Sequence, residues 1–100
     1  MGTAFTKYDE GKPRYELVPV SAIRALADVL TFGAIKYSDN NWKKVDEPSR
    51  YIGALYRHLE AWRGGEATDP ESGKPHLHHA ITNLAFLIEL EEEEEGGGEK

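Results

Sequence analysis

The sequence predicts an all-α protein: three main helices behind an extended N-terminal arm, with the bundle completed by homo-oligomerisation. Three observations lead there. Three segments repeat apolar residues at helical spacing. The stretches between them, "SDNNWKKVDEP" and "EATDPESGKP", are polar and rich in turn-forming residues. The third segment is apolar on most of its sides, so it needs neighbours on two of them.

A chain of 100 residues makes one domain with a modest core. The reading divides it into an arm over 1–18, a helical domain over 19–90 and a frayed or disordered acidic tail over 91–100. The formal net charge of −6 belongs to that tail. Seven of the 18 acidic residues lie at or after Glu89, whereas residues 1–88 carry eleven basic and eleven acidic side chains. A neutral body with an acidic end argues against binding duplex nucleic acid. The absence of cysteine excludes disulfides and thiolate metal sites. No apolar run reaches bilayer length and no signal-peptide pattern opens the chain, so no membrane partner and a cytoplasmic location are expected.

Residues 1–18 lack a sustained period, and the prolines of "EGKPRYELVPV" favour extended backbone, which reads as an arm laid over the body. Lys12 and Arg14 flank Pro13 there. The first helix is expected from Val20 to Tyr37, with Ile23, Leu26, Ala27, Leu30, Ala34 and Tyr37 as its apolar stripe. Pro19 suits its start and Ser21 is an alternative cap. Gly33 inside this helix costs about 1 kcal/mol against alanine, and close approach by another backbone or a ligand is the expected compensation. The second helix is expected to start near Ser49 and to end at Gly64-Gly65. Its stripe is Ile52, Leu55, Leu59 and Trp62, with His58 at the edge. Arg50 and Arg57 share a neighbouring face with Gly53, Ala54 and Ala61, whose small side chains leave room for an anion. The third helix is expected from Pro75 to Glu91 or later. Leu77, Ile81, Leu84 and Ile88 cover one side. His78, Thr82 and Glu89 form a polar strip. His76, His79 and Asn83 fall on a second, inward side.

Two site chemistries are written into this inventory. Glu66, Asp69, His76 and His79 are hard or borderline ligands suited to magnesium, manganese or zinc, and a divalent ion bridges phosphates and activates water. The plain alternative is that His76 and His79 are hydrogen-bonded interior side chains while Glu66 or Asp69 caps helix three or its preceding turn. The second chemistry is anion recognition. Lys12, Arg14, Lys36, Arg50, Arg57 and His58 suit phosphates, Tyr37 and Trp42 suit stacking on a base, and Asn41 suits reading its edge. Here the plain alternative is surface cations and core aromatics. No glycine-rich phosphate loop is present, and Ser72 in "ESG" lacks the strand-turn-helix setting of a serine nucleophile.

The motifs "FGAIKY", "NW", "SRY", "RHLEAW", "GEATDPESG" and "HLHH" together resemble a phage-borne family of dATP/dGTP diphosphohydrolases, amino-terminal type. The resemblance covers residues 9–88. It implies an all-α fold similar to the MazG-like pyrophosphatases, which remove pyrophosphate from nucleoside triphosphates with divalent ions. It implies functional positions at Lys36, Tyr37, Asn41, Trp42, Arg50, Arg57, His58, Glu66, Asp69, His76 and His79. Combined with the residue reading, His58, Glu66, Asp69 and His79 are the expected catalytic set, and Glu66, Asp69 and His79 the expected metal ligands. Lys12, Arg14, Lys36, Tyr37, Asn41, Trp42, Arg50, Arg57, His76 and Asn83 are the expected nucleotide contacts. The chain departs from MazG-like enzymes in lacking their paired helix carboxylates: helix two offers only Glu60, and His79 and Asn83 stand where helix three would carry them. The expectation is a magnesium- or manganese-dependent pyrophosphohydrolase. The alternative is a phage protein that sequesters a nucleotide without metal or hydrolysis, including a cyclic nucleotide defence signal. A third reading is a regulatory bundle whose partner is protein.

Overall fold

The computed structural model describes residues 10–98, with side chains through Glu94. It contains α1 (Val20–Lys36), α2 (Ser49–Arg63) and α3 (His76–Gly98), plus single 3-10 turns at Tyr15–Leu17 and Asn41–Lys44. No strand occurs among the described residues; one isolated bridge pairs Thr68 with Pro75. The protein is all-α, as its periodicity predicts. The described part of the arm, Glu10–Val18, is exposed rather than laid over the body, and residues 1–9 of that expectation lie outside the described residues.

The helix ends follow local chemistry. The Pro19 carbonyl accepts from Ala22 at 3.1 Å and Ile23 at 3.4 Å, so α1 starts on a rigid residue; Ser21 provides no side-chain cap. At the end of α2, Gly65 takes φ 106°. Its N–H donates to Trp62 O at 3.0 Å and that of Glu66 to Ala61 O at 2.9 Å. This paired closure is the glycine-dependent helix stop foreseen at Gly64-Gly65.

The centre of the molecule is α3. Both α1 and α2 pack on it, and they scarcely touch each other. The inward side of α3 carries His76 at 4% and Asn83 at 8% exposure, as expected, but neighbouring positions depart from expectation. Thr82, placed in the polar strip, is the most buried residue at 1% exposure, while Leu84 is 45% and Ile88 59% exposed. His78, expected in solvent, is half-buried, and its Nδ1 is buried without a partner among the described residues. Thr82 and Asn83 bury cheaply because each satisfies itself one turn back: Thr82 Oγ1 donates to His78 O at 2.7 Å and Asn83 Nδ2 to His79 O at 2.8 Å. Ala80 is buried too, so short side chains are what α3 buries on more than one side.

The other stripes are displaced similarly. On α1 the buried residue is Ala25, whereas Ile23 and Leu30 of the expected stripe are exposed; on α2, Leu55 is buried but Ile52 and Trp62 are exposed. The radius of gyration is 17.6 Å, against about 13 Å for a compact chain of this length. α1 and α2 pack on α3 rather than on each other, and a cleft lies between them.

Candidate functional site

The cleft has a volume of about 850 Å³. One wall is the C-terminal half of α1 from Val29 to Lys36, continued by Tyr37, Ser38 and the 3-10 turn through Asn41 and Trp42. The opposite wall carries Tyr51 and His58 of α2, with Asp69, Glu71 and Ser72 of the connector. The floor is α3, through His79, Ala85, Phe86 and Glu89.

At one end an aromatic platform forms. Trp42 stacks on Phe86 with ring centroids 4.6 Å apart and planes 16° from parallel, and Tyr51 tilts against Phe86 at 4.9 Å. The Tyr51 hydroxyl donates to Trp42 O at 2.6 Å, which fixes the 3-10 turn to α2. Lys43 reaches Glu93 at 3.2 Å and ties the same turn to α3.

At the other end lie two histidine networks. His58 Nδ1 is 2.8 Å from His76 Nδ1, and His76 Nε2 is 2.8 Å from Glu66 Oε1. Since ionised Glu66 only accepts, His76 Nε2 donates to it. His58 closes this chain at the cleft wall, and its Nε2 has no partner among the described residues. The second network joins His79 Nε2 to Ser72 Oγ at 2.7 Å, and Ser72 Oγ donates to Asp69 Oδ2 at 3.2 Å or to His79. The rings of His58 and His79 stack at 4.5 Å and 13°. Burial lowers the pKa of both rings; His79 and His76 lower that of His58 further, His76, His78 and Lys74 that of His79, and Asp69 pulls both the other way. The site thus favours the neutral form of each ring. Burial pushes the Asp69 carboxyl up, but the Glu71 N–H, the Ser72 hydroxyl and the two histidines outweigh it and hold it low.

The connector is knotted around Asp69. Its Oδ1 accepts from Glu71 N–H at 3.2 Å, its N–H donates to Lys74 O at 2.8 Å, and its carbonyl accepts from Gly73 N–H at 2.7 Å. Lys74 Nζ, 3.1 Å from Asp28 Oδ2, clamps this loop to α1.

Of the expected site residues, Lys36, Tyr37, Asn41, Trp42, His58, Asp69 and His79 line the cleft. His76 and Glu66 stand behind it, through His58. Asn83 is buried with its amide spent on His79 O. The remaining cations lie elsewhere. Lys12 is exposed on the arm, Arg14 pairs with Glu16 at 2.9 Å, and Arg50 pairs with Asp46 at 2.8 Å. Arg57 folds back over the space beside Gly53, where an added Cβ would meet Nη1 at 3.2 Å. That face of α2 is filled by its own arginine. The six residues expected to meet phosphates therefore do not converge; Lys36 and His58 alone of that set reach the cleft.

Residues not expected in the site also line it: Tyr51, Ser72, Phe86, Asp39, Glu71 and Glu89. Tyr51 stands two turns before His58 on α2, a spacing that signals a shared face. No comparable signal marks Asp39 or Glu71, which lie in loops.

Asp69 and His79 approach at 3.7 Å, with Ser72 between them, but Glu66 is turned away to His76. Among the described residues no three His, Asp or Glu side chains converge to hold an ion. The donor set does not fit a resident metal cage. It does place four carboxylates, of Asp39, Asp69, Glu71 and Glu89, around the cleft. Magnesium carried on phosphates needs only one or two carboxylates from a protein.

An all-α chain with an aromatic platform, paired imidazoles and an acid-rich rim around one cleft is the class defined here. The chain belongs to the family described as dATP/dGTP diphosphohydrolase, N-terminal, which it matches over residues 3–100. It is also 31% identical over 84 residues to a protein of Salmonella phage PMBT28 named dATP/dGTP diphosphohydrolase, covering 84% of this chain and 29% of that protein. The chain thus spans under a third of that relative's length. No solved structure gives a significant match.

Proposed function

We propose that the cleft binds a purine deoxynucleoside triphosphate with its divalent ion, and that the chain hydrolyses it to monophosphate and pyrophosphate. The observation that supports this most is the charge of the cleft. A site that sequesters a nucleotide without metal needs cations to meet the phosphates. The lining instead carries Asp39, Asp69, Glu71 and Glu89 against Lys36 and Lys43, and Lys43 is already paired with Glu93. Bare triphosphate is repelled by such a rim, whereas a magnesium- or manganese-bound one is attracted.

The ring of the base suits the Trp42–Phe86 platform, and Lys36 supplies a cation for phosphate. A cleft of about 850 Å³ lies within the roughly 300–1,000 Å³ range of small-molecule sites. His58, held neutral, accepts the proton of the attacking water at Nε2. The water oxygen bonds to the α-phosphorus as the bond to the β-phosphate oxygen breaks. The charge gained by His58 is stabilised along the hydrogen-bonded path through His76 to Glu66. The acting unit is a homo-oligomer, because the Leu77, Leu84 and Ile88 face of α3 lies open in one chain.

The test is chromatography of dATP and dGTP after incubation with magnesium or manganese, and with chelator. Metal-dependent monophosphate and pyrophosphate are expected, and His58→Asn should slow their release by a factor of about 100 or more. Nucleotide recovered intact after long incubation with metal refutes hydrolysis and leaves sequestration.

A further inference from the structure

Gly33 sits inside α1, three residues before its end, where glycine is a poor helix former. The chain's own architecture does not require it. Its φ is not positive, so any residue can adopt its backbone. Among the described residues a Cβ added there meets no atom within 4 Å, so no packed neighbour among them forbids a side chain. At Gly53, by contrast, Arg57 occupies the corresponding space. What Gly33 has in its favour is position. It lines the cleft, with Lys36 and Tyr37 one turn further along the same helix and the Trp42–Phe86 stack in the same enclosure.

We propose that Gly33 determines what the cleft admits: the planar ring of the bound nucleotide lies between the bared backbone of α1 at Gly33 and the aromatic platform of Trp42, with Lys36 one turn on toward the phosphates. This rests on the function proposed above and adds to it the residue that sets the width of the ring slot. A methyl group at this position meets no described protein atom within 4 Å and, in the arrangement proposed, takes space from the ring. The same substitution therefore acts in opposite directions on the free chain and on its complex.

Gly33→Ala and Gly33→Leu test this, with melting temperature, oligomeric state and calorimetric binding measured in magnesium for inorganic tripolyphosphate and for dATP and dGTP as their α,β-methylene analogues, which the chain cannot hydrolyse. Gly33→Ala is expected to raise the melting temperature by roughly 2–8 °C, because the helix gains a better former. It is expected to weaken dATP and dGTP at least tenfold, and Gly33→Leu to abolish their binding. Tripolyphosphate, which has no ring, should bind all three proteins alike. If wild type binds dATP and dGTP and Gly33→Ala binds them equally well, the slot assignment falls while the proposed function stands. Equal loss of tripolyphosphate overturns the ring assignment too. A changed oligomeric state at unchanged nucleotide affinity assigns Gly33 to a subunit interface instead. If wild type binds neither nucleotide, both proposals fall together.

Discussion

His58 Nδ1 and His76 Nδ1 lie 2.8 Å apart, so one of the two rings donates to the other. With His76 Nε2 giving its proton to Glu66, a His76 ring that carries a single proton offers a lone pair at Nδ1, and His58 is then the donor. That leaves the Nε2 lone pair of His58 toward the cleft, the tautomer a proton acceptor needs. Substitutions along this path should separate. Glu66 is half exposed, its side chain at 53%, so Glu66→Gln should change stability by less than about 1 kcal/mol while lowering turnover. His76→Ala removes a ring that is 4% exposed and should cost about 2–4 kcal/mol. Urea melts beside initial rates check both; a Glu66→Gln protein as active as wild type removes Glu66 from the path.

Acid should unfold the protein early. His58 and His79 both bind a proton less readily in the folded chain than at the ordinary imidazole value of 6.5. Protonation therefore draws the chain toward the unfolded state. The stability they contribute is fully present above about pH 6.5 and is lost as pH falls from there through their lower folded values. Asp69 is held below its ordinary 3.8, so its loss comes at more acid pH. Melting temperatures between pH 8 and pH 5 should decline below pH 6.5, and the double variant His58→Gln, His79→Gln should flatten the decline. A melting temperature that holds steady or rises on acidification contradicts the assignment.

The exposed face of α3 makes a separate prediction. Leu77, Ile81, Leu84 and Ile88 recur at helical spacing over three turns, and three of the four are exposed large hydrophobics. A two-fold axis sets such a stripe against its own copy, and a chain whose short residues face inward has its bulky ones left for a partner. Sedimentation should find a homo-oligomer at micromolar concentration. Leu84→Glu with Ile88→Lys should yield monomer of retained helicity. A wild-type monomer at that concentration removes the interface.

The sequence was most legible where local chemistry decides. Helix ends at Pro19, Ser49 and Gly65 are set by proline and glycine backbone preferences, and the structure places them within a residue of expectation. The faces were less legible. Hydrophobicity marked Leu84 and Ile88 as inward and Thr82 as outward, but hydroxyl and amide groups bonded to the preceding turn bury readily, and apolar residues with no neighbour in one chain stay open. The lining of the cleft was legible in His58, His79, Tyr37, Trp42 and Asp69, but not in Tyr51 and Phe86 of the aromatic platform. It was not legible in its cations. Arg14 and Arg50 found carboxylates two and four residues away, and such short-range pairing competes with any distant ligand.

Asp69 allows the metal reading and the plain structural one to be told apart. Its carboxylate accepts from the Glu71 N–H and sits within 3.2 Å of the Ser72 hydroxyl, so it shapes the connector whether or not an ion comes. Asp69→Ala removes both contacts and should cost about 1–3 kcal/mol. Asp69→Asn keeps the Oδ1 acceptor and alters the charge, so its cost should stay below about 1 kcal/mol. A nucleotide-borne ion distinguishes them differently, because it responds to charge and not to loop shape. If Asp69 meets the ion of the bound triphosphate, Asp69→Asn should melt like wild type yet lose the extra affinity that manganese confers over chelator for dGTP supplied as its non-hydrolysable α,β-methylene analogue. The measurement is a pair of calorimetric titrations on each protein, with manganese and with chelator, beside a urea melt. A manganese increment retained in Asp69→Asn confines the carboxylate to holding the connector. In that case the acid-rich rim admits the ion through Asp39, Glu71 or Glu89, and the same pair of titrations on those variants decides which.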